Sequence, residues 1–323
     1  MEHYQLGRST LRVTPIGLGC WQFSRGQGLA GRYWASLPQE TVREIVRVSL
    51  DGGVNWFDTA EVYGNGASER SLAQALGELG VDRSRYVIAD KWFPAFRFAG
   101  SVLRTFPARE EALGGRSIDL HQIHQPFSLS SVERQAAAMA QLHRDGRIGA
   151  VGVSNFNEKS MRAAHARLAA DGIPLATNQM HYSLMHRAIE RNGVLDAAKE
   201  LGISIIAYSP LAQGILTGKY HGEVDIRRSP GPRKLMKQFR PGGLDATRPL
   251  IDLLRRIGET HSATPAQIAL AWTVQRHGTC VVAIPGASSV SQATSNAEGL
   301  RVRLSESELE ELAVAGAEAE ARL

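Results

Sequence analysis

Seven apolar runs of this 323-residue chain end in polar or turn-forming residues. The runs close on Asp58, on Lys91 and on His124. Then come Ser154 with Asn155, Asn178 with Gln179, Tyr208 with Ser209 and Pro210, and Pro285 with Gly286. An acid, a lysine and a histidine are the side chains of proton transfer. One polar strand end means little, because such positions also cap helices and make turns. Seven in succession would converge on one mouth if a fold brought the ends together. Lys91 alone would also suit Schiff-base chemistry in a lyase or isomerase, which needs no cofactor site.

The positioning elements are legible as alternating patterns. Strand-like runs are Ile16–Cys20, Val54–Phe57, Tyr86–Ala89, Ile118–Ile123, Ile148–Val153, Leu175–Thr177, Ile203–Ala207 and Val281–Ile284. Helical patterns separate most of them: Gln39–Asp51, Ser68–Leu79, Gly100–Leu113, Ser131–Arg144, Glu158–Ala170, Gly193–Leu201 and Pro249–His261. Further helices are expected near Pro265–Arg276, Val290–Glu298 and Glu306–Glu318. Ser131 and Ser305 carry helix-start signals, and Gly172 and Gly202 sit where helices should stop. Buried-type strands alternating with helices predict parallel βα units. Eight units in about 300 residues favour an α/β fold closed as a (β/α)8 TIM barrel over an open doubly wound sheet. A hairpin, Tyr4–Leu6 with Leu11–Val13, should precede it. No linker interrupts the pattern, so residues 1–323 are expected to be one domain. Leu211–Asp245 reads as a long basic loop whose Gly and Pro residues disfavour a regular helix. Loops of that length are lids, binding loops or disorder.

The segment Asn55-Trp-Phe-Asp-Thr-Ala-Glu-Val-Tyr-Gly resembles the aldo-keto reductase signature. So do Gln122-Ile-His-Gln-Pro, Gly152-Val-Ser-Asn-Phe, Tyr208-Ser-Pro-Leu-Ala-Gln-Gly and Ile284-Pro-Gly-Ala. The resemblance runs in the family's order from about Leu6 to Leu312. It implies a barrel that binds NADP(H) in extended form and reduces a small-molecule carbonyl. Asp58, Tyr63, Lys91 and His124 match the family's catalytic tetrad. Those types suit carbonyl reduction. Hydride arriving at carbon puts negative charge on the carbonyl oxygen, and a proton donor beside it lowers the barrier. A free phenol is a poor acid at neutral pH. A Lys91 ammonium would favour the phenolate and make Tyr63 a better acid. Asp58 would hold Lys91 and offset the cost of burying its charge. His124 would orient the carbonyl or pass protons to Tyr63.

By the same resemblance, Ser154, Asn155 and Gln179 hold the nicotinamide carboxamide, and Tyr208 stacks on the ring. Ser209, Pro210, Leu211, Gln213 and Gly214, with Lys219 and Arg233, close over the pyrophosphate. Gly286, Ser288, Gln292 and Asn296 take the adenosine end, where a helix N-terminus points at phosphate. Cys20, Trp21, Gln27 and Asp58 complete the cofactor surface. Many members carry Lys-Arg after Pro-Gly-Ala for the 2′-phosphate; here Ser288 and Ser289 stand there. Asp90 replaces the usual threonine before the lysine, and strand alternation turns it into the helix layer. Gln125 replaces an aromatic after His124 and makes one pocket wall more polar. Trp21, Trp92, Phe93, Phe127 and Tyr182, with Trp34, are expected to line a pocket for flat or apolar carbonyl compounds. The subgroup resembles bacterial and plant enzymes related to potassium-channel β subunits. A rival reading is therefore a regulatory NADP(H)-binding sensor with little turnover. The channel subunits carry a non-histidine where His124 stands.

Other classes are disfavoured. Net charge is +5 and the pI about 9.4, but outside the long loop the basic residues are scattered, a poor nucleic-acid footprint. No apolar run approaches the ~20 residues of a membrane span, and the N-terminal ten residues hold no signal-peptide core. Cys20 and Cys280 cannot make a disulfide framework, so a cytoplasmic setting is expected. Gly26 to Gly31 fits G-x-G-x-x-G but does not open a helix directly after a strand. His121 and His124 fall on opposite faces of a strand, which leaves no metal site. Cys20 reads as a buried small hydrophobe. Nothing in the chain signals an oligomeric state.

Overall fold

A two-stranded antiparallel hairpin, β1 (Tyr4–Gln5) and β2 (Arg12–Val13), begins the computed structural model. The structure describes all residues except 1, 32, 223 and 226–235, and leaves aside the side chains of 29, 30 and 241. Eight parallel strands follow: β3 (Leu18–Gly19), β4 (Trp56–Asp58), β5 (Val87–Trp92), β6 (Ile118–Ile123), β7 (Ile148–Ser154), β8 (Leu175–His181), β9 (Ser204–Tyr208) and β10 (Val281–Ala283). They pair in chain order. Gly17 N donates to Ala283 O at 2.8 Å, Ala283 N to Pro15 O at 2.8 Å and Gly19 N to Pro285 O at 3.1 Å, which joins the last strand to the first. The sheet is the expected (β/α)8 barrel.

The helices are α1 (Gly28–Gly31), α2 (Gln39–Asp51), α3 (Ala67–Glu78), α4 (Gly100–Ala112), α5 (Val132–Arg144), α6 (Glu158–Ala169), α7 (Val194–Leu201), α8 (Pro241–His261), α9 (Pro265–Gln275), α10 (Val290–Glu298) and α11 (Glu306–Ala321). Local chemistry sets their ends. Ser131 Oγ accepts from Arg134 N, and Ser305 forms a reciprocal capping box with Glu308. Gly202, at φ +68°, takes the left-handed turn that stops α7. None of the helices among the described residues is long and apolar enough to cross a membrane.

Strand alternation divides the core in two. Inside the barrel, Trp56, Ala89, Leu120, Ala150, Ile206 and Val282 pack on Tyr4, Leu6 and Val13, so the hairpin plugs the floor. Outside it, Phe57, Ile88, Ile123 and Val151 pack against helix residues such as Ile45, Phe106 and Met139. Asp58, Lys91 and Gln122 each lie two residues beyond a floor residue. The same face therefore carries them up into the mouth.

Three differences from the expected boundaries bear on the site and its long loop. β5 continues past Ala89 to Trp92, and β8 past Thr177 to His181. Lys91 and Gln179 thus sit within ordered strand rather than beyond its end. Helix α8 begins at Pro241 instead of Pro249. A proline at the first helical position lacks only an amide that had no partner anyway. Pro249 is tolerated because it and Asp245, whose carbonyl it leaves unbonded, both face water. The long segment is also not wholly irregular: Lys219–His221 and Lys237–Phe239 form 3-10 turns, and Ala212–Thr217 holds two short helical turns parted by a kink at Gln213 and Gly214. Arg227, Arg228, Arg233 and Lys234 lie outside the described residues.

Candidate active site

At the top of the barrel lumen Lys91 and Asp58 meet, both fully buried. Lys91 Nζ bonds Asp58 Oδ1 and donates to Thr59 O at 2.8 Å and to Tyr63 Oη at 3.5 Å. The other Asp58 oxygen accepts from Gln179 Nε2 at 2.8 Å and Gln122 Nε2 at 3.2 Å. Burial works against the lysine's charge, but Asp58 and Tyr63 outweigh it and hold the Lys91 pKa above the usual value. A lysine held protonated lacks the free lone pair a Schiff base needs. For Tyr63 the order is reversed. Burial pushes the phenol above its usual range, and the downward pull of Lys91 is the smaller effect. Tyr63 therefore stays protonated at neutral pH, the form a donor needs. His124 stands edge-on to Tyr63 and to Phe93, with ring centroids 5.6 Å from each. Burial, then the Lys91 charge, holds it well below the usual histidine range, so it is a neutral imidazole.

The turn after β4 brings Tyr63 over Lys91. Thr59 N donates to Ala89 O at 2.8 Å and Glu61 N to Lys91 O at 3.2 Å, which lays the turn along β5. The Glu61 carboxylate accepts from Phe93 N at 2.5 Å and pairs with Arg97, tying this turn to the loop after β5. Gly64, at φ +69°, is where the chain reverses; a Cβ there would overlap the carbonyl of Ser24.

The reverse faces of the same strands hold a second set of groups. Asp90 is fully buried against the helix layer, 3.7 Å from His121 Nδ1. Arg109 on α4 pairs with Glu69 on α3 at 2.9 Å beside them. Burial raises Asp90 to about 7 and Glu69 to about 9, and lowers His121 to about 3. His121 packs on Phe106 while His124 faces Tyr63. No cluster arranged to hold a metal occurs among the described residues.

Two expected pocket residues belong to that outer layer instead. Trp92 follows inward-facing Lys91 and so points outward; its Nε1 donates to Ser101 Oγ on α4 at 3.2 Å. Tyr182 is fully buried, stacks on Trp272 and donates to Glu190 at 2.6 Å. Trp21, by contrast, stacks 5.9 Å from Tyr63 and 5.0 Å from Tyr33, with Trp34 edge-on at 5.8 Å. Phe127 is exposed.

Most expected cofactor residues fall around this mouth. Cys20 is fully buried, and burial pushes its thiol up. Ser154 Oγ donates to Gln179 O at 3.0 Å and accepts from Asn155 Nδ2 at 3.0 Å. Tyr208 Oη donates to Asn155 Oδ1 at 3.0 Å. Gln179 Nε2 also donates to Asp58, which adds a second role to the expected one at a carboxamide. Pro210 is buried and Leu211 half-buried. Asn155, Ser209 and Gln213 hold φ of +60°, +53° and +59°, and Gly214 +97°. Such strain in non-glycine residues collects at ligand sites and turns successive amides the same way. Gln213 Nε2 donates to Ser209 Oγ at 2.9 Å. Lys219 Nζ lies 5.0 Å from the Tyr220 ring centre. On the far side Ser288 N and Oγ donate to Gln292 Oε1 at 2.9 and 3.0 Å, and Asn296 Nδ2 to Gly286 O at 3.4 Å. Ser289 caps α10 directly beyond. Gln27 is exposed on the turn after Ser24, and Arg233 lies outside the described residues. Sequence reasoning missed Gln122 and Glu61. Alternation with His121 would have turned Gln122 inward; Glu61 stands inside the segment from Asn55 to Gly64, but its partners Phe93 and Arg97 are brought to it only by the folded loops.

Residues 15–316 match the sequence model of the aldo/keto reductase family. An "uncharacterized oxidoreductase" of Mycobacterium tuberculosis is 42% identical over 295 residues, 91% of this chain and 86% of that protein. A Glycine max protein named "probable aldo-keto reductase 1" is 30% identical, covering 97% of this chain and 88% of its own. Among solved structures, a glycerol dehydrogenase from Gluconobacter oxydans superposes with a TM-score of 0.79 at 25% identity, over 97% of this chain and 94% of that one. The chain belongs to the aldo/keto reductase family, and it is an oxidoreductase.

Proposed function

We propose that the protein reduces an aldehyde or ketone to the alcohol with NADPH, or runs the reverse oxidation, with Tyr63 as general acid. The supporting observation is the buried relay of Asp58, Lys91 and Tyr63 beside a neutral His124. Bound nicotinamide supplies the hydride. Tyr63 Oη gives its proton to the carbonyl oxygen as charge develops there. The Lys91 ammonium, 3.5 Å away, stabilises the phenolate left behind. Asp58 keeps Lys91 charged, and the amides of Gln122 and Gln179 hold the second Asp58 oxygen. Neutral His124 donates one hydrogen bond that orients the carbonyl. Asn155, Ser154, Gln179 and Tyr208 receive the nicotinamide, the strained turn from Ser209 to Gly214 with Lys219 the pyrophosphate, and Ser288 with Gln292 and Asn296 the adenosine. Trp21, Tyr33, Trp34 and Phe93 favour a flat or apolar substrate. The reading takes residues 1–323 as one barrel domain acting in the cytoplasm on small molecules.

The 2′-phosphate gives a direct test. Ser288 replaces a cation at that end, while one hydrogen bond to a charged group is worth about 1.5–3 kcal/mol. NADPH should bind more tightly than NADH by about tenfold, ~1.4 kcal/mol. Fluorescence titration with both cofactors measures the ratio, and equal or tighter NADH binding removes the preference.

A further inference from the structure

His181 ends β8 directly across from Tyr208 at the end of β9, in register. Its imidazole lies parallel to the Tyr208 ring, 5.2 Å between centroids and 10° between planes. Behind it His186 stacks in turn, at 3.8 Å and 17°. His186 is brought back under His181 by a tight reversal in which Ser183 N donates to His186 O, and His186 N to Ser183 O, both at 3.1 Å. Three flat rings thus form one pile whose outermost member is Tyr208.

A tyrosine ring pinned at both ends keeps one freedom. The backbone fixes the Cβ of Tyr208, and Asn155 Oδ1 accepts from its Oη at 3.0 Å. Rotation about the axis between those points is still open, because a torsion from tetrahedral to trigonal carbon has broad wells. A flat group against the back of the ring closes it. We infer that His181 is a positioning residue that sets the plane of Tyr208, and through it the plane on which a nicotinamide ring rests. This rests on the cofactor reading proposed above. Planarity is the property that matters, and a neutral ring offers it without a charge beneath the phenol. Burial, then the neighbouring His186, lowers the His181 pKa to about 4, so the ring is uncharged at neutral pH.

The test replaces His181 by leucine, similar in bulk but not flat, and by phenylalanine, which is flat. Each variant is titrated with NADPH and with 2′,5′-ADP, which carries the adenosine end and no nicotinamide. His181→Leu should weaken NADPH by about five- to tenfold, the scale of one aromatic pair, and leave 2′,5′-ADP unchanged. His181→Phe should restore NADPH binding. Unchanged NADPH affinity in His181→Leu overturns the inference and leaves the proposed function standing. Equal weakening of both ligands, or no recovery in His181→Phe, also overturns it, because either marks a general structural role. A wild-type protein that binds neither ligand overturns both. Should His181→Leu not fold, His186→Leu tests the pile from outside: selective weakening of NADPH supports the inference, and unchanged affinity counts against it.

Discussion

Tyr63→Phe should lower carbonyl reduction by roughly 10²–10⁴-fold while NADPH titrates as in the wild type. The substitution removes one oxygen and keeps the ring that stacks 5.9 Å from Trp21. The fold, the aromatic wall and the cofactor surface are therefore untouched. What disappears is the proton donor next to the Lys91 ammonium. His124 does not substitute for it, because giving up a proton from a neutral imidazole is far harder than from a phenol. Rates of NADPH oxidation with 4-nitrobenzaldehyde, set beside fluorescence titration of the cofactor, separate chemistry from binding. Turnover close to wild type would take the general-acid role away from Tyr63.

Lys91→Met should be costly twice, and the two costs can be pulled apart. Removing one partner of a buried ion pair leaves the other charge without its counter-charge, a loss of about 3–5 kcal/mol. Here the stranded group is Asp58, left with the two amides of Gln122 and Gln179. Carbonyl reduction should fall by roughly 10²–10⁴-fold as well, since nothing then stabilises the Tyr63 phenolate. Adding Asp58→Asn to Lys91→Met removes the stranded charge. The double variant should regain most of the stability and none of the activity. Urea midpoints report the first quantity and NADPH oxidation the second. Activity returning with stability would mean that Lys91 only holds the fold together.

Much of this site is legible in the chain because a strand has a period of two. The pairs Asp90 and Lys91, and His121 beside Gln122, show it: each step along the strand exchanges the helix layer for the lumen. The same rule sends Trp92 outward, where aromatic character alone suggests a pocket wall. Tyr182 misleads in the same way, since ring size says nothing about which face of the barrel it joins. The start of α8 is hidden because Pro249 reads as a first helical residue, while a proline inside a helix is tolerated where water reaches the carbonyl it leaves unbonded. The Tyr63 pKa is hidden for a different reason. Lys91 is visible as a neighbour in the motif, but the desolvation that outweighs it exists only once the barrel has closed. The link between Glu61 and Arg97 joins residues 36 apart, and only the folded loops bring them together.

The barrel is a hoop with one clasp. β3 has two residues, against six or seven in the strands from β5 to β8, and it meets β10 through the backbone bonds of Gly17, Gly19 and Ala283. A ring of hydrogen bonds opens first where it is thinnest, so these three amides should trade their protons with solvent sooner than those of the long strands. Cys20 and Trp21 lie just past one side of the clasp, Gly286 and Ser288 just past the other. A dinucleotide held by both sides would keep the hoop shut, and proton exchange at three amides that touch no ligand would register its arrival.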